Sequence, residues 1–193
     1  MDSYKYRRVF SDLPVLETER LILKKIELAN ANDMFAYASL SEVTRYLLWT
    51  PHLNIEDTKG YIEYVNKQYR KGNYSDWGLT CKADGVFIGT CGFADIDLSN
   101  NKGELGYVLS PSYQGKGYMR EAVLAVLELA FGELGINRVE LRIMEGNTAS
   151  IKFAESMGFK YEGTTRRSLF LRGRYKTLHH YSILSDEFKS DKQ

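Results

Sequence analysis

The chain is poor in cysteine: Cys81 and Cys91 are its only two. Two thiols exclude a disulfide framework and cannot by themselves close a metal site, so no metal is expected. Both read as small buried side chains of a reduced protein, which points to the cytoplasm. Three prolines leave no proline-rich linker to divide the 193 residues, and that length suits a single domain with its own core. No apolar run approaches the ~20 residues that cross a bilayer, and the charged residues 1–8 lead into no apolar stretch of the kind a secretory signal carries. Neither a membrane span nor a leader is expected. Neither sign of charge prevails, since 26 Lys+Arg stand against 25 Asp+Glu for a net of +1. A dedicated nucleic-acid binder would carry a clear basic excess, so no DNA partner is expected. Histidine is scarce too, at three residues. His52 follows Pro51 in a loop and His179-His180 fall on opposite faces of a strand, so none stands where it would activate a cysteine. Core or surface roles are expected for all five of these side chains.

What is present is periodicity. Residues 1–14 read as a loosely held polar segment. Arg20 to Ile26 is a short apolar run with charged flanks, a strand. Helical stretches follow over residues 32–40, 42–47 and 55–70; in the last, Ile62, Val65 and Tyr69 share one face. Trp77, Leu79 and Cys81 then alternate with Gly78, Thr80 and Lys82, a half-buried strand. Asp84-Gly85 turns it back through residues 86–96, and a turn at residues 100–103 starts a third strand, Glu104 to Leu109. Met119, Ala122, Val123, Val126, Leu127, Ala130, Phe131 and Leu134 repeat i, i+3, i+4, i+7 along a long helix, with Gly135 placed to end it. Val139, Leu141 and Ile143 form a strand that must run parallel to the one before the helix. Asn147 can cap a further helix that ends at Gly158 with Phe159 beyond it. Residues 169–171 and 175–184 read as a hairpin around Gly173. The expected class is α+β: one mixed, mostly antiparallel central sheet with helices on both faces.

The chemistry concentrates between residues 104 and 121, which run strand, glycine turn, helix. The first turn of a helix offers N–H groups without internal partners at the positive end of its dipole, and glycines let a ligand approach the backbone. Gln114-Gly115-Lys116-Gly117 therefore predicts a cradle for phosphate or diphosphate. It is not a Walker loop, because Lys116 is followed by Gly117 rather than Ser or Thr. Nor is it a dinucleotide fingerprint, because it follows a meander and the third glycine is missing.

This stretch resembles the GNAT superfamily of acetyl-CoA-dependent N-acetyltransferases, whose signature is Gln/Arg-x-x-Gly-x-Gly/Ala. Gln114, Gly117 and Met119 fill those positions, with Met119 a departure whose side chain must point away from the diphosphate. Glu17-Thr18-Glu19-Arg20-Leu21, Ile88-Gly89-Thr90, Glu104-Leu105-Gly106-Tyr107, Asn147-Thr148-Ala149-Ser150, Met157-Gly158-Phe159 and Glu162-Gly163 resemble the RimJ/RimL branch. The likeness spans about residues 16–184. It implies that the backbone of Gln114, Gly115, Lys116, Gly117, Tyr118, Met119 and Arg120 holds the diphosphate of acetyl-CoA. Pantetheine would lie strand-like against Val108 and Leu109, and Asn147 would bond its arm.

The implied chemistry is attack of a neutral amine on a thioester. An α-amine with pKa near 8 loses about 1.4 kcal/mol to protonation at pH 7, and a lysine near 10.4 about 4.6 kcal/mol; a protein α-amine is the easier acceptor. Glu104, at the mouth of the expected splay, is the candidate general base, with Glu162 a weaker alternative. Ser150 is placed by the resemblance near the thioester sulfur, to serve the leaving thiolate. Tyr46, Trp49, Trp77, Phe93, Asp95 and Asp97 are candidates for an acceptor groove. Arg166, Arg167, Arg172, Arg174 and Lys176 form a basic stretch suited to a solvated hairpin, an acidic protein face or ribosomal RNA. Three functions stay open: acetylation of a protein N-terminal α-amine, ribosomal by the resemblance; acetylation of a small amine such as an antibiotic, polyamine or amino acid; and a non-enzymatic acyl-CoA sensor. A homodimer is left open as well.

Overall fold

A single sheet, parted along one of its seams, sets the frame. The computed structural model describes residues 6, 9, 10, 12–72 and 75–189. Among the described residues, eight strands form the sheet in the order β1-β2-β3-β4-β5-β6-β8-β7: β1 Leu16–Glu17, β2 Leu21–Lys24, β3 Ser75–Cys81, β4 Phe87–Asp97, β5 Lys102–Leu109, β6 Arg138–Met144, β7 Lys160–Leu171 and β8 Arg174–Leu184. Every neighbouring pair is antiparallel except β5 and β6. The α-helices between the strands are α1 Ala31–Ala38, α2 Ser41–Thr44, α3 Ile55–Lys71, α4 Tyr118–Glu128 and α5 Thr148–Ser156.

Local chemistry explains where the helices begin and stop. The Asn54 side chain accepts from the Asp57 N–H, Glu56 and Asp57 sit at the positive end of α3, Arg70 and Lys71 at the negative end, and Gly72 ends it in a left-handed turn at φ 67°. Thr58, Ile62, Val65 and Tyr69 are its buried stripe. The helix that starts at Tyr118 departs from its expected form. From Leu129 to Glu133 it widens into a π turn, with the Leu134 N–H donating to Leu129 O at 2.9 Å. The wider turn keeps Leu129, Ala130 and Leu134 buried, so the apolar repeat survives an added residue per turn. α5 ends in a Schellman motif: Gly158 N–H donates to Glu155 O at 3.1 Å and Phe159 N–H to Ala154 O at 3.0 Å.

The sheet is covered unevenly. Every residue of β4 from Phe87 to Phe93 is buried, as a strand must be when helices lie on both faces. β7, at the far edge, is exposed along most of its length. It begins at Lys160 rather than Leu169; a polar edge strand with irregular pairing at Tyr161/Gly163 and Thr165/Leu169 has no alternation to betray it. The helix expected over residues 42–47 is a single turn, Ser41–Thr44. The described part of the N-terminal stretch is packed rather than loose: Phe10 is fully buried and Leu13 nearly so. The Phe10 ring lies 6.0 Å from that of Trp77, because its apolar side chains have a core face to fill.

One irregularity positions the site. The parallel ladder between β5 and β6 has three pairs and ends at Glu104↔Glu140. Beyond it β6 stays paired to β8 up to Met144, while β5 stays with β4 up to Leu109. The sheet opens there.

Candidate active site

The opening leads into a cavity of about 460 Å³. Glu104, Tyr107 and Val108 line it from β5, Arg142 from β6, and Asn147 and Ser150 from the start of α5. Glu104 stands at the last rung before the strands part, and Arg142 Nε contacts its Oε2 at 2.7 Å across the gap. Asn147 takes the Ser150 N–H on its side chain at 3.3 Å, which fixes the first turn of α5. Ser150 Oγ lies 2.8 Å from the Tyr107 hydroxyl.

The glycine turn sits at the other end of β5. Gly115 and Gly117 both adopt positive φ, 72° and 83°, and Gly117 is the N-cap of α4 with no side chain closing the helix start. The amides of Tyr118, Met119 and Arg120, the first three of the helix, therefore have no intrahelical acceptor. Met119 is buried on the core side, so its side chain leaves the loop clear. The loop is braced from a distance of about a hundred residues in sequence. Glu121, in the first turn, accepts from the Arg20 backbone N–H and the Arg20 Nε, each at 2.7 Å, and from the Thr18 hydroxyl. Arg20 also donates to Lys116 O at 2.9 Å and stacks over the Tyr118 ring at 4.6 Å. Glu121 is partly desolvated, yet these bonds hold its carboxyl below the usual range. On the strand side, Gln114 Nε2 donates to Leu109 O at 2.9 Å and ties loop to strand. A Cβ at Gly89 would lie 2.2 Å from Val108 O, so only glycine lets β4 approach β5 at this point. Backbone amides bared at a positive helix end, an unpaired strand edge and an adjoining cavity fit a long ligand with an anionic head.

The family profile described as an acetyltransferase (GNAT) domain matches residues 20–160. The chain belongs to the GNAT acetyltransferases. The uncharacterized N-acetyltransferase p20 of Bacillus licheniformis is 35% identical over 176 residues, 91% of this chain and 99% of that one. Among solved structures, the microcin C7 self-immunity acetyltransferase MccE, in complex with acetyl-CoA and AMP, superposes with a TM-score of 0.76 at 23% identity, over 86% of this chain and 93% of that one. The ribosomal-protein-S5-alanine acetyltransferase from Vibrio fischeri does so at 0.71 and 24%, over 91% and 99%. These two share the fold.

The acetyltransferase brings Glu104, Ser150, Asn147 and Val108 to one cavity and Gln114 to Arg120 to one loop. Two loop side chains face elsewhere. Lys116 Nζ bends back to Ser112 O at 2.8 Å, and Arg120 reaches Ser156 O at 3.1 Å. Glu162 is not in the cavity. Arg138 grips both its oxygens and the Ser182 hydroxyl donates to it at 2.8 Å. The Arg138 bond holds its carboxyl down at about 2, which leaves a poor base. Of the groove candidates, Tyr46, Trp49 and Phe93 line the cavity. Trp77 is wholly buried, its indole N–H donating to Pro14 O at 2.7 Å. Asp95 is exposed, outside the cavity, and Asp97 closes its own turn by accepting from Asn100 and Ser99.

Sequence reasoning missed several contributors. His52 lines the cavity, bonded through Nδ1 to Thr58 Oγ1 at 2.7 Å, and burial pushes its imidazole down. Its place depends on a loop path that no periodicity reports. Arg142 hid in the alternation of β6. Within the basic stretch, Arg172 donates to Thr44 O and Leu47 O at 3.1 Å and to Trp49 O, while Tyr46 donates to Gly146 O at 2.8 Å. Hairpin tip and cleft wall thus tie down the segment that roofs the cavity. Both cysteines are buried and free, and burial pushes the Cys91 thiol up, against any role as an acyl carrier.

Proposed function

We propose that the acetyltransferase, a RimJ/RimL-like member working in the cytoplasm, moves the acetyl group of acetyl-CoA to a primary amine. The acceptor we assign is the N-terminal α-amine of a protein, of ribosomal type. The observation that carries the transfer is the opening of the sheet past Glu104, with an uncapped helix start at one end of β5 and a carboxylate at the other. The loop from Gln114 to Arg120 would take the diphosphate, the stretch of β5 at Val108 and Leu109 that β6 leaves unpaired the pantetheine, and Asn147 its amide. In the transfer the amine nitrogen bonds to the acetyl carbon and the carbon–sulfur bond breaks. Arg142 holds Glu104 Oε2, so Oε1 is the atom we assign to the amine proton; the Ser150 hydroxyl serves the departing thiolate. The ribosomal acceptor is supported by the branch motifs, by the name of the fold neighbour from Vibrio fischeri, and by the smaller protonation cost of an α-amine.

One observation favours a second acceptor class. The roof of the cavity is tied down by Arg172 and Tyr46, which suits a small amine better than a chain that must pass beneath it. A CoA-release assay decides between them. Turnover on peptides that begin with Ala or Ser, with small amines inert, supports the first; the reverse supports the second. No release across both panels, despite tight acetyl-CoA binding, would leave a sensor.

A further inference from the structure

Tyr107 leaves β5 one position out of phase with Glu104 and Gly106, so it points to the face that α5 covers. Its ring meets Phe153 edge-on, with centroids 5.0 Å apart at 69°, and its hydroxyl lies 2.8 Å from Ser150 Oγ. Burial pushes the phenol up to about 12, so it keeps its proton through the neutral range. Two hydroxyls that face each other share one hydrogen at a time. A phenol is the better donor of the two and an aliphatic hydroxyl the better acceptor, since the ring withdraws the phenol's lone pair. Ser150 has a single hydrogen and two lone pairs. When Tyr107 fills one lone pair, the serine hydrogen is free to turn into the cavity that Ser150 lines. When Tyr107 is lost, that hydrogen has no fixed direction.

We infer that Tyr107 is a positioning residue for acyl transfer: by donating to Ser150 Oγ it aims the serine hydrogen at the sulfur of the thioester. No proton leaves Tyr107 in the reaction. The inference rests on the proposed role of Ser150 in serving the leaving thiolate. Backbone and ring already constrain the pair, because Asn147 holds the Ser150 N–H and Phe153 holds the tyrosine ring; the hydroxyl rotor is the freedom that remains.

A double-mutant cycle tests this. Tyr107→Phe keeps the ring and is expected to lower kcat about tenfold, the size of one hydrogen bond. The KM for acetyl-CoA and the melting temperature should hold. Because Tyr107 acts only through Ser150, the double variant Tyr107→Phe/Ser150→Ala is expected to be no slower than Ser150→Ala alone. Losses that multiply, or a Tyr107→Phe enzyme at full speed, would overturn the inference and leave the serine reading standing. Full turnover by Ser150→Ala would remove the serine reading and this one with it. Should Tyr107→Phe fold poorly, 3,5-difluorotyrosine at position 107 supplies a second readout. Its more acidic phenol is expected to bring a loss of turnover at alkaline pH where the natural enzyme stays active; an unchanged profile counts against the role.

Discussion

Two helices on the cofactor side of this acetyltransferase begin in opposite ways. α5 is closed by the residue at its entrance, since the Asn147 side chain takes the Ser150 N–H. α4 is left open: Gly117 brings no side chain to its start, and the support comes from Thr18 and Arg20, far away in sequence, acting on Glu121. A capped start stabilises and orients the first turn of its helix, here the turn that carries Ser150. An uncapped start keeps its amides for something else. In the function we propose, the same element serves as a mount in one place and as a binding surface in the other, according to whether a side chain or a ligand fills the vacant hydrogen bonds.

The difference can be broken most severely by closing the open end. Gly117→Asp is expected to put an anion where we propose that the diphosphate binds, and to weaken acetyl-CoA by about a hundredfold, or about 2.7 kcal/mol, in calorimetric titration. Affinity within about threefold of the parent would show that the helix start is not the cradle. Removing the brace comes next. Glu121→Ala deletes several charge-assisted bonds, each worth about 1.5–3 kcal/mol, so a lower melting temperature and about tenfold weaker acetyl-CoA binding are expected. A variant that melts lower yet binds normally would separate the brace from the cradle. Opening the closed end is milder. Asn147→Ala is expected to cost about 1 kcal/mol of stability, as cap removal does, and to slow turnover several-fold as Ser150 loses its mount; unchanged turnover would reduce Asn147 to a plain cap.

The smallest expected effect lies away from both helix starts. Glu162, held by Arg138, has its carboxyl at about 2 against an ordinary 4.5. The unfolded chain takes up that proton first as pH falls. The stabilisation is thus complete above about 4.5 and is lost on descent towards 2. The pair is partly exposed, with Glu162 40% accessible, so the contribution is small. Acid melts of the parent and of Arg138→Ala should differ in slope across that window; parallel curves would mean that Glu162 gains nothing from its partner.

Elements whose burial repeats were the ones legible in advance. The stripe of Ile62, Val65 and Tyr69 marks α3, and the alternation of Trp77, Leu79 and Cys81 marks β3, because one face of each is buried. The part of β7 ahead of Leu169 carries no such signal, because almost nothing along it is buried. The π turn at Leu129–Glu133 was invisible because one added residue still returns apolar side chains to the core. At the site, the glycine turn could be read from local backbone chemistry alone, and Glu104 and Ser150 from the resemblance. The brace could not, since Arg20 and Glu121 meet only once the sheet has formed. Tyr107 was masked by its phase: it alternates with Leu105 and Leu109 as a core residue would, and only its contact with Ser150 sets it apart.

The Arg172 grip on three carbonyls couples the hairpin tip to the roof of the cavity through one side chain, without drawing on the sheet ladder. On the function we propose, acceptor preference and scaffold robustness are for that reason expected to be separable traits. Residues 47–49 can be randomised as a cassette with Arg172 and Tyr46 retained, and selection on new amines can proceed with the cofactor end of the enzyme held constant.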